Sequence, residues 1–533
     1  MTSSVASALK ERTESAQETQ EETTVMTARR PGRRAVMVSA VLTQLMIVLD
    51  LTIIAIALPH MQEDLGMTVS QSPWTVTGYS LAFGGLVLFG GRLCAVVGIR
   101  RSYQVGLIGF GVASLAAGMA TSFPILLVAR VAQGCFGALL APTSQSLLNV
   151  TFTERTERER VFAIFGATGG LGAAVGLLVG GALTDWISWR WALYINILLA
   201  TAALLIGQRS LPPADQRDRG SRITDDLTGL VLGCGACFSA VYGLDRAQQT
   251  SWTSTSTVSW LALGGIAAVL FVVRERFANR PVLPLSMMAL PVRAASYATQ
   301  FIAGAGQMGA IIYLTYYMQN HFGYSPFKSG VVFLPMVLAL IATAIPAGRV
   351  IVPRLGARGT LPLGLAVLTG SFLIFSRMTT QSSYSQVALP GLIVFGIGLG
   401  LTMPVTFNSG TRGVDAKRTG LASAILSAAQ QIGGSFGVAL MTSYATQHAE
   451  DYVAEHSEEV RAAAMEAMMR AQALPQSPAG KQIIEALKAQ LVDRAQIEAY
   501  AGGFTMMAWI LAGAGAALVA CGIAVSVRRR RTR

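Results

Sequence analysis

The stretch VMVSAVLTQLMIVLDLTIIAIALP, residues 36–59, decides the class of fold. About 20 mostly apolar residues are what an α-helix needs to cross a lipid bilayer. Asp50 lies in the middle of this stretch, and no other acidic residue of the chain lies so deep inside an apolar run. A carboxylate in hydrocarbon is costly and usually functional. We therefore predict that Asp50 binds and releases a proton.

Thirteen further apolar runs of similar length follow in this chain of 533 residues. The fourteen runs span approximately residues 36–59, 74–91, 103–122, 124–147, 161–184, 190–208, 226–245, 257–274, 294–318, 329–348, 359–378, 386–408, 420–445 and 503–527. Only helices and closed barrels cross hydrocarbon, and barrel strands would be about half as long. The sequence therefore predicts an all-α membrane protein.

The distribution of charge predicts the orientation. With the N-terminus inside, the cytoplasmic tails and loops carry 31 of the 41 Lys and Arg residues, including the run Arg528–Arg531. This is the positive-inside bias, so we expect both termini in the cytoplasm. The preference for Arg over Lys indicates a GC-rich bacterial genome, hence a bacterial plasma membrane. Because membrane topology accounts for the net charge of +13, we expect no nucleic-acid partner.

Internal similarity predicts how the helices are grouped. Gly91–Arg101 is similar to Gly348–Arg358, and Gly166–Gly176 is similar to Ala428–Ala439. Each pair lies eight runs apart, which predicts two six-helix bundles with two inserted helices (6+2+6), and repeated bundles are typical of secondary transporters. The predicted segments are a disordered cytoplasmic tail (1–35), an N-terminal six-helix bundle (36–208), a cytoplasmic linker with inserted helices 7 and 8 and the following loop (209–293), a C-terminal six-helix bundle (294–527) that includes an extracellular loop (446–502), and a basic cytoplasmic tail (528–533).

Arg130 is the second charged residue at depth. It lies six residues after Pro124, the expected outer end of helix 4, and Asp50 lies nine residues before Pro59, the expected outer end of helix 1. These depths are about 9 and 14 Å, so we expect the two side chains to meet directly or through water or Gln133. Burial favours the protonated carboxyl and a nearby arginine favours the ionised one. Alternating access would shift this balance, unless Arg130 only pins helix 4 to backbone carbonyls or Asp50 is only a structural hydrogen-bonding group.

Polar and aromatic side chains within the runs are candidates for a cargo cavity. They are Gln44, Tyr79, Gln133, Asn196, Gln300, Gln307, Tyr313, Asn408 and Gln431. Some of them are expected to hold helices together instead. Because only Asp50 and Arg130 are charged at depth, a neutral, zwitterionic, anionic or singly charged amphiphilic cargo is favoured over a multivalent cation.

Several motifs carry a resemblance to a known family. They are LDLTIIAIALP (49–59), WTVTGY (74–79), LVARVAQG (127–134), Trp189-Arg190-Trp191 with Asn196, and Tyr317, Gln319, Ser325-Pro326 and Pro335. In this order and spacing they resemble the drug:proton antiporter-2 family, the fourteen-helix branch of the major facilitator superfamily. The resemblance covers nearly the whole chain after residue 35. It implies the major facilitator fold and a proton-coupling role for Asp50 and Arg130.

The same resemblance identifies gating and packing motifs. Their matching positions are Gly91, Gly98 and Arg100 after helix 2, and Gly172, Gly176, Gly180 and Gly181 in helix 5. The chain has Ala95 where the family usually has an aspartate of an inner-gate charge relay, which implies a different latch. It has Leu177 where the family usually has proline, which implies a helix 5 that keeps its close glycine contact but loses a kink.

The leading prediction is a proton-coupled secondary transporter that exports a small hydrophobic or amphiphilic compound, such as an antibiotic, drug or toxic metabolite, by alternating access. The alternative is proton-coupled uptake or facilitated transport of a metabolite. An enzyme is not expected, because the four histidines lie in outer loops or at helix ends and no phosphate-binding loop for ATP is present. We expect no cofactor or metal, a proton as coupling ion, a small-molecule substrate, the lipid bilayer as surroundings, and a functional monomer.

Overall fold

The computed structural model describes residues 32–68, 71, 74–208, 210–211, 226–278, 281, 283, 287–288, 290–414, 419–470 and 478–531. Regular secondary structure in these ranges is helical, with no strand among them. Residues 1–31 of the predicted N-terminal tail and most of the predicted linker 209–225 lie outside the described ranges.

Within the described ranges the chain makes fourteen helical passes, and each overlaps one predicted apolar run. The helices are α1 Arg33–Asp64, α2 Trp74–Val97, α3 Ile99–Gly118, α4 Phe123–Thr151, α5 Arg155–Trp186, α6 Trp189–Gly207, α7 Leu227–Gln249, α8 Thr255–Phe277, α9 Pro291–Tyr316, α10a Pro326–Val332 with α10b Leu334–Pro346, α11 Val352–Phe375, α12 Leu389–Thr411, α13 Thr419–Arg470 and α14 Pro478–Arg531. Short π-helical turns at 317–321, 347–351 and 384–388 adjoin α9, α10b and α12.

Ten stretches of the described chain are long and apolar enough to cross a membrane. One of these, residues 327–375, covers two passes that are joined at a bend, where Gly356 has φ 65°. Three helical passes, α3, α5 and α9, are not among these ten stretches. Each begins with an arginine-containing or polar turn. They are held among apolar neighbours in the folded protein, so their lower apolarity is compatible with a buried position.

The helices form the predicted 6+2+6 arrangement. Helices α1–α6 pack against one another, and so do α9–α14. The α7–α8 hairpin lies outside both bundles, with α7 in contact with α2 and α13. The inserted pair therefore lies across one seam between the bundles.

Helix α5 contacts α10a, α10b and α12 of the opposite bundle. Further contacts between the bundles lie at the face of the molecule that carries the start of α1 and the end of α14, called here the terminus face. Gln145 of α4 donates a hydrogen bond to Ser427 of α13, with 3.2 Å between Nε2 and Oγ. Thr411 of α12 donates to Asn149 of α4, with 3.2 Å between Oγ1 and Oδ1. A Cβ on Gly91 of α2 would lie 2.5 Å from Ala424 Cβ. These contacts close the seam on the terminus face.

Two elements differ from the sequence-based expectation. The first helix does not end at Pro59 but continues to Asp64, because a proline forfeits only one helical hydrogen bond and the flanking residues can still be helical. The expected loop 446–502 contains helices within its Ala-rich stretches 451–474 and 480–500, as its composition indicates, but these helices are continuous with the last two passes, since α13 extends to Arg470 and α14 begins at Pro478. Glycine and proline are absent from 438–474, so nothing in that sequence stops the helix where it leaves the apolar run.

Candidate functional site

Asp50 lies at the centre of a buried hydrogen-bond network. Its side chain and that of Arg130 are fully buried, and Arg130 Nη1 donates to Asp50 Oδ2 at 2.6 Å. The other carboxylate oxygen, Oδ1, accepts from Asn196 Nδ2 at 2.7 Å and from Gln133 Nε2 at 3.1 Å. One carboxylate on α1 is thus held by three donors from α4 and α6.

The guanidinium of Arg130 makes three further contacts in the same network. Its Nε donates to the carbonyl oxygen of Thr75 at 3.0 Å, and its Nη1 also donates to Gln133 Oε1 at 2.8 Å. Its Cζ lies 4.6 Å from the ring centre of Tyr79, a cation–π geometry. Asp50 is the carboxylate that balances this buried positive charge, so neutralising Asp50 would leave Arg130 without its counter-charge.

Local sequence explains why these groups converge. Arg130 and Gln133 are three residues apart on α4 and therefore lie on the same face of the helix. A Cβ on Gly134 would lie 2.4 Å from the carbonyl oxygen of Tyr79, so only glycine allows α4 to approach α2 this closely. Ser114 of α3 accepts from Gln133 Nε2 at 2.7 Å. The described partners in this network all belong to the N-terminal bundle, away from the seam.

A buried pair of one acid and one arginine occurs in several protein classes, and comparison with known proteins decides between them. The sequence pattern of the Major Facilitator Superfamily matches residues 40–438. The chain belongs to the major facilitator superfamily. It is therefore a multi-pass membrane protein of a family that transports small molecules, as the motifs around Asp50 and Arg130 predicted.

Two curated relatives are bacterial. The puromycin resistance protein pur8 of Streptomyces alboniger is 40% identical over 78% of this chain and 82% of its own length. The cephamycin export protein CmcT of Amycolatopsis lactamdurans is 33% identical over 76% of this chain and 83% of its own length. Among solved structures, the human organic anion transporter MFSD10 (TETRAN) aligns with a TM-score of 0.58 at 14% identity, covering 90% of this chain and all of that chain. At that identity the structural likeness supports the fold alone.

The glycine motif of this family member holds α5 against α1 beside Asp50. A Cβ on Gly176 would lie 1.8 Å from Thr52 Oγ1 and 3.3 Å from the carbonyl oxygen of Leu49. The flanking contacts in the same row are Gly172 with Val48 and Gly180 with Ile53, each at 3.0 Å for a built Cβ. Gly181 is buried in α5 as well. The glycines thus let α5 lie directly on the turn of α1 that carries Asp50.

The residues of the predicted inner-gate motif lie in different surroundings. Gly91 packs on α13 at the seam, as described above. Gly98 has φ 98° and precedes α3, a backbone conformation that favours glycine. Arg100 Nη2 donates to the carbonyl oxygen of Gln208 at 3.3 Å and so caps the end of α6. Of this motif, Gly91 is the residue that contacts the opposite bundle.

The Trp189-Arg190 motif holds together the ends of three helices on the side opposite the terminus face. Arg190 Nη1 and Trp189 Nε1 both donate to Asp64 Oδ2 at the end of α1, and Arg190 Nη2 donates to the carbonyl oxygen of Ala120 at 3.1 Å. The hydrogen bond from Arg190, and then the one from Trp189, hold the pKa of Asp64 below its ordinary value of 3.8. This clamp fixes the start of α6, and hence the helix that presents Asn196.

The predicted cavity residues separate into three groups. Tyr79, Gln133 and Asn196 belong to the Asp50 network described above. Gln300 and Tyr313 hold helices together, since Gln300 Oε1 accepts from Thr406 at 2.6 Å and Tyr313 donates to Thr442 at 2.9 Å. The remaining candidates are Gln307, which is buried, and Gln44, Asn408 and Gln431, which are half-buried. Gln431 of α13 lies at the seam, because a Cβ on Gly84 would lie 3.4 Å from its Cγ.

Sequence reasoning missed Ser114, Gln145 and Asn149. Ser114 is a small residue in an apolar helix and is indistinguishable by sequence from ordinary helix packing. Gln145 and Asn149 are four residues apart and so lie on one face of α4, a signal that could have marked them as a pair. Among the described residues, no group of three or more His, Cys, Asp or Glu side chains could hold a metal ion.

Proposed function

We propose that this protein is a proton-coupled exporter that moves a small hydrophobic or amphiphilic compound of the antibiotic or toxic-metabolite class across a bacterial plasma membrane. It acts as a monomer, catalyses no reaction, binds no nucleic acid and uses no cofactor other than the coupling proton. Both termini lie in the cytoplasm, so the terminus face is the cytoplasmic face. The positive-inside distribution of Lys and Arg supports this orientation.

The observation that carries the proposal is the fully buried pair of Asp50 and Arg130 on two different helices. Binding of one proton converts this balanced pair into a single uncompensated charge. Removing one partner of a buried ion pair typically destabilises a protein by about 3–5 kcal/mol. Proton binding at Asp50 therefore acts strongly on how α1 and α4 pack.

Helix α4 links protonation of Asp50 to the seam between the two bundles. It carries Arg130 at one end and Gln145 and Asn149 at the other, with Pro142 inside the helix between them. Proline lacks the N–H that would complete the helical ladder, and such positions bend. Protonation of Asp50 releases α4, which then separates Gln145 and Asn149 from the C-terminal bundle and opens the cytoplasmic face.

The class of cargo is supported by the relatives and by the charge of the C-terminal bundle. Two relatives carry names that refer to puromycin resistance and to cephamycin export. Residues 276–414 contain no Asp or Glu, so this part of the C-terminal bundle offers no carboxylates for a multivalent cation. A neutral or singly charged organic compound is therefore the expected cargo.

The test measures transport in everted membrane vesicles that contain the full chain or its variants. Uptake of labelled puromycin, with an antibiotic panel as a broader screen, is measured under an acid-interior proton gradient. If the protein exports its cargo from the cell, the labelled compound should accumulate inside these vesicles. This accumulation should be lost when an uncoupler dissipates the proton gradient. Accumulation driven by the opposite gradient would instead support proton-coupled uptake.

Two variants test the role of the ion pair. Asp50→Asn leaves Arg130 buried without a counter-charge and is expected to abolish gradient-driven transport. The double variant Asp50→Asn/Arg130→Gln removes both charges, which buried pairs tolerate better, so it is expected to fold yet fail to respond to the gradient. Asp493→Asn, at a half-exposed acid that pairs with His321 outside the bundle core, is the matched control and should transport normally. Gradient-driven transport by the double variant would overturn the role of Asp50.

A further inference from the structure

A groove lies at the terminus-face end of the C-terminal bundle, on the outer side of α9, α11 and α14. Its walls are mostly apolar and include Val292 and Ala295 of α9, Leu361 of α11 and Leu518 of α14. The groove is shallow and open on one side, and the space within it, counting the open side, is about 430 Å³. The groove is separate from the Asp50 network, which lies in the other bundle.

Arg358 is the charged residue among those that line the groove. It is exposed, and within the described part of the chain it makes no hydrogen bond or ion pair. The chain reaches it through the bend at Gly356, whose φ of 65° favours glycine. This bend places Arg358 in the first turns of α11, at the end of the groove nearest the terminus face.

The surroundings of Arg358 are strongly cationic. Arg354 is exposed and lies on the other side of the bend at Gly356. Neither residues 276–414, which contain α9 and α11, nor residues 499–533, which contain the end of α14, include an Asp or Glu. Helix α14 continues beyond the groove to Arg531, through four consecutive arginines at 528–531. Positive charge here therefore has no carboxylate within these two segments to balance it, which favours an anionic partner.

We propose that this groove binds an anionic phospholipid from the adjoining leaflet, with the phosphate on Arg358 and an acyl chain along Val292, Ala295 and Leu518. Basic pockets between membrane helices on the cytoplasmic side bind anionic headgroups in this way. The guanidinium donates to phosphate with matching geometry. A free phosphate would leave the apolar walls exposed, whereas a lipid satisfies both the charge and the walls.

The experiment uses the full chain, purified in detergent and depleted of lipid. Native mass spectrometry then measures binding of phosphatidylglycerol and of phosphatidylcholine with the same acyl chains. The wild type is expected to bind phosphatidylglycerol more tightly. Arg358→Gln is expected to weaken phosphatidylglycerol binding about fivefold, from the loss of one arginine near an anionic headgroup, and to leave phosphatidylcholine binding unchanged.

Three variants separate this site from general surface charge. Arg276→Gln removes an exposed arginine at the end of α8, away from the groove, and Arg377→Gln removes one beyond the far end of α11; both should bind phosphatidylglycerol like the wild type. Ala295→Phe keeps Arg358 but fills the groove, and it should weaken binding of both lipids. Equal losses in Arg358→Gln and Arg276→Gln would overturn the proposal, as would full binding in Ala295→Phe.

Cys521 provides a second readout because it lines the groove and is exposed. Phosphatidylglycerol is expected to slow the reaction of this thiol with a maleimide in the wild type, but not in Arg358→Gln. Inorganic phosphate at the same concentration should give no protection, since it does not cover the walls. Protection by phosphate alone would show that the groove binds an anion and not a lipid, and would refute the assignment.

Discussion

Substituting alanine for Gly176 tests whether α5 must lie directly on α1 for Asp50 to be held. The new Cβ would lie 1.8 Å from Thr52 Oγ1, so either the helices separate or Thr52 reorients. Reorientation is costly because Thr52 Oγ1 donates to the carbonyl oxygen of Leu49 at 3.0 Å. Overpacking of this kind costs about 1–3 kcal/mol, and alanine in place of glycine in a helix contributes about 1 kcal/mol in the opposite direction.

Gly169→Ala is the matched control, because Gly169 lies in the same helix and a Cβ there would meet nothing within 4 Å. The difference in stability between the two variants should therefore equal the overpacking cost, about 1–3 kcal/mol, with Gly176→Ala the less stable. Equilibrium unfolding in mixed micelles measures stability, and everted vesicles measure transport. Gly176→Ala should also transport more slowly, and adding Thr52→Ala should restore part of both losses. Equal stability and transport in the two single variants would refute the reasoning.

Three further predictions concern the hydrogen bonds across the seam, the contacts of Asp64 with Trp189 and Arg190, and the cation–π contact between Arg130 and Tyr79. Asn149→Leu removes one hydrogen bond across the seam, worth about 1 kcal/mol, so maleimide labelling of Cys94, which is buried beside α13, should rise about fivefold. Arg190→Gln should cost about 0.2–1 kcal/mol at neutral pH, since the pair with Asp64 is partly exposed; because the folded pKa of Asp64 is lowered, this difference in unfolding free energy should disappear as pH falls below 3.8. Tyr79→Phe keeps the ring over the guanidinium and should unfold like the wild type, whereas Tyr79→Leu should lose about 1–2 kcal/mol in the same unfolding assay.

The meeting of Asp50 and Arg130 was predictable from sequence even though the expected end of α1 was wrong. The prediction measured depth from the end of the apolar run, and the apolar run, not the helix end, sets the position in the bilayer. The helix continues to Asp64, but the apolar run that contains Asp50 is unchanged by this extension. The predicted depth of Asp50 therefore did not depend on the predicted length of α1.

The hydrogen bonds that close the seam between the bundles were not predictable in the same way. The absence of an aspartate at Ala95 indicated that a different latch exists, but its members, among them Gln145 with Ser427 and Asn149 with Thr411, are separated by more than 260 residues. Periodicity within one helix identifies a face, but it does not identify which distant helix covers that face. The continuity of α13 and α14 with the helices of the loop 446–502 was not predicted for a related reason, since apolarity marks where a helix leaves the bilayer and not where it ends.

Under the proposed mechanism, the burial of Asp50 constrains the order of events in transport. With the seam closed at the terminus face, Asp50 accepts three hydrogen bonds and its side chain has no exposed surface. A proton reaches it only if α1 and α4 move apart enough to admit water. The same movement shifts α4, which carries the seam residues Gln145 and Asn149. Proton entry and release of the latch are then one conformational step, so a proton leak without opening would require a path that this packing excludes.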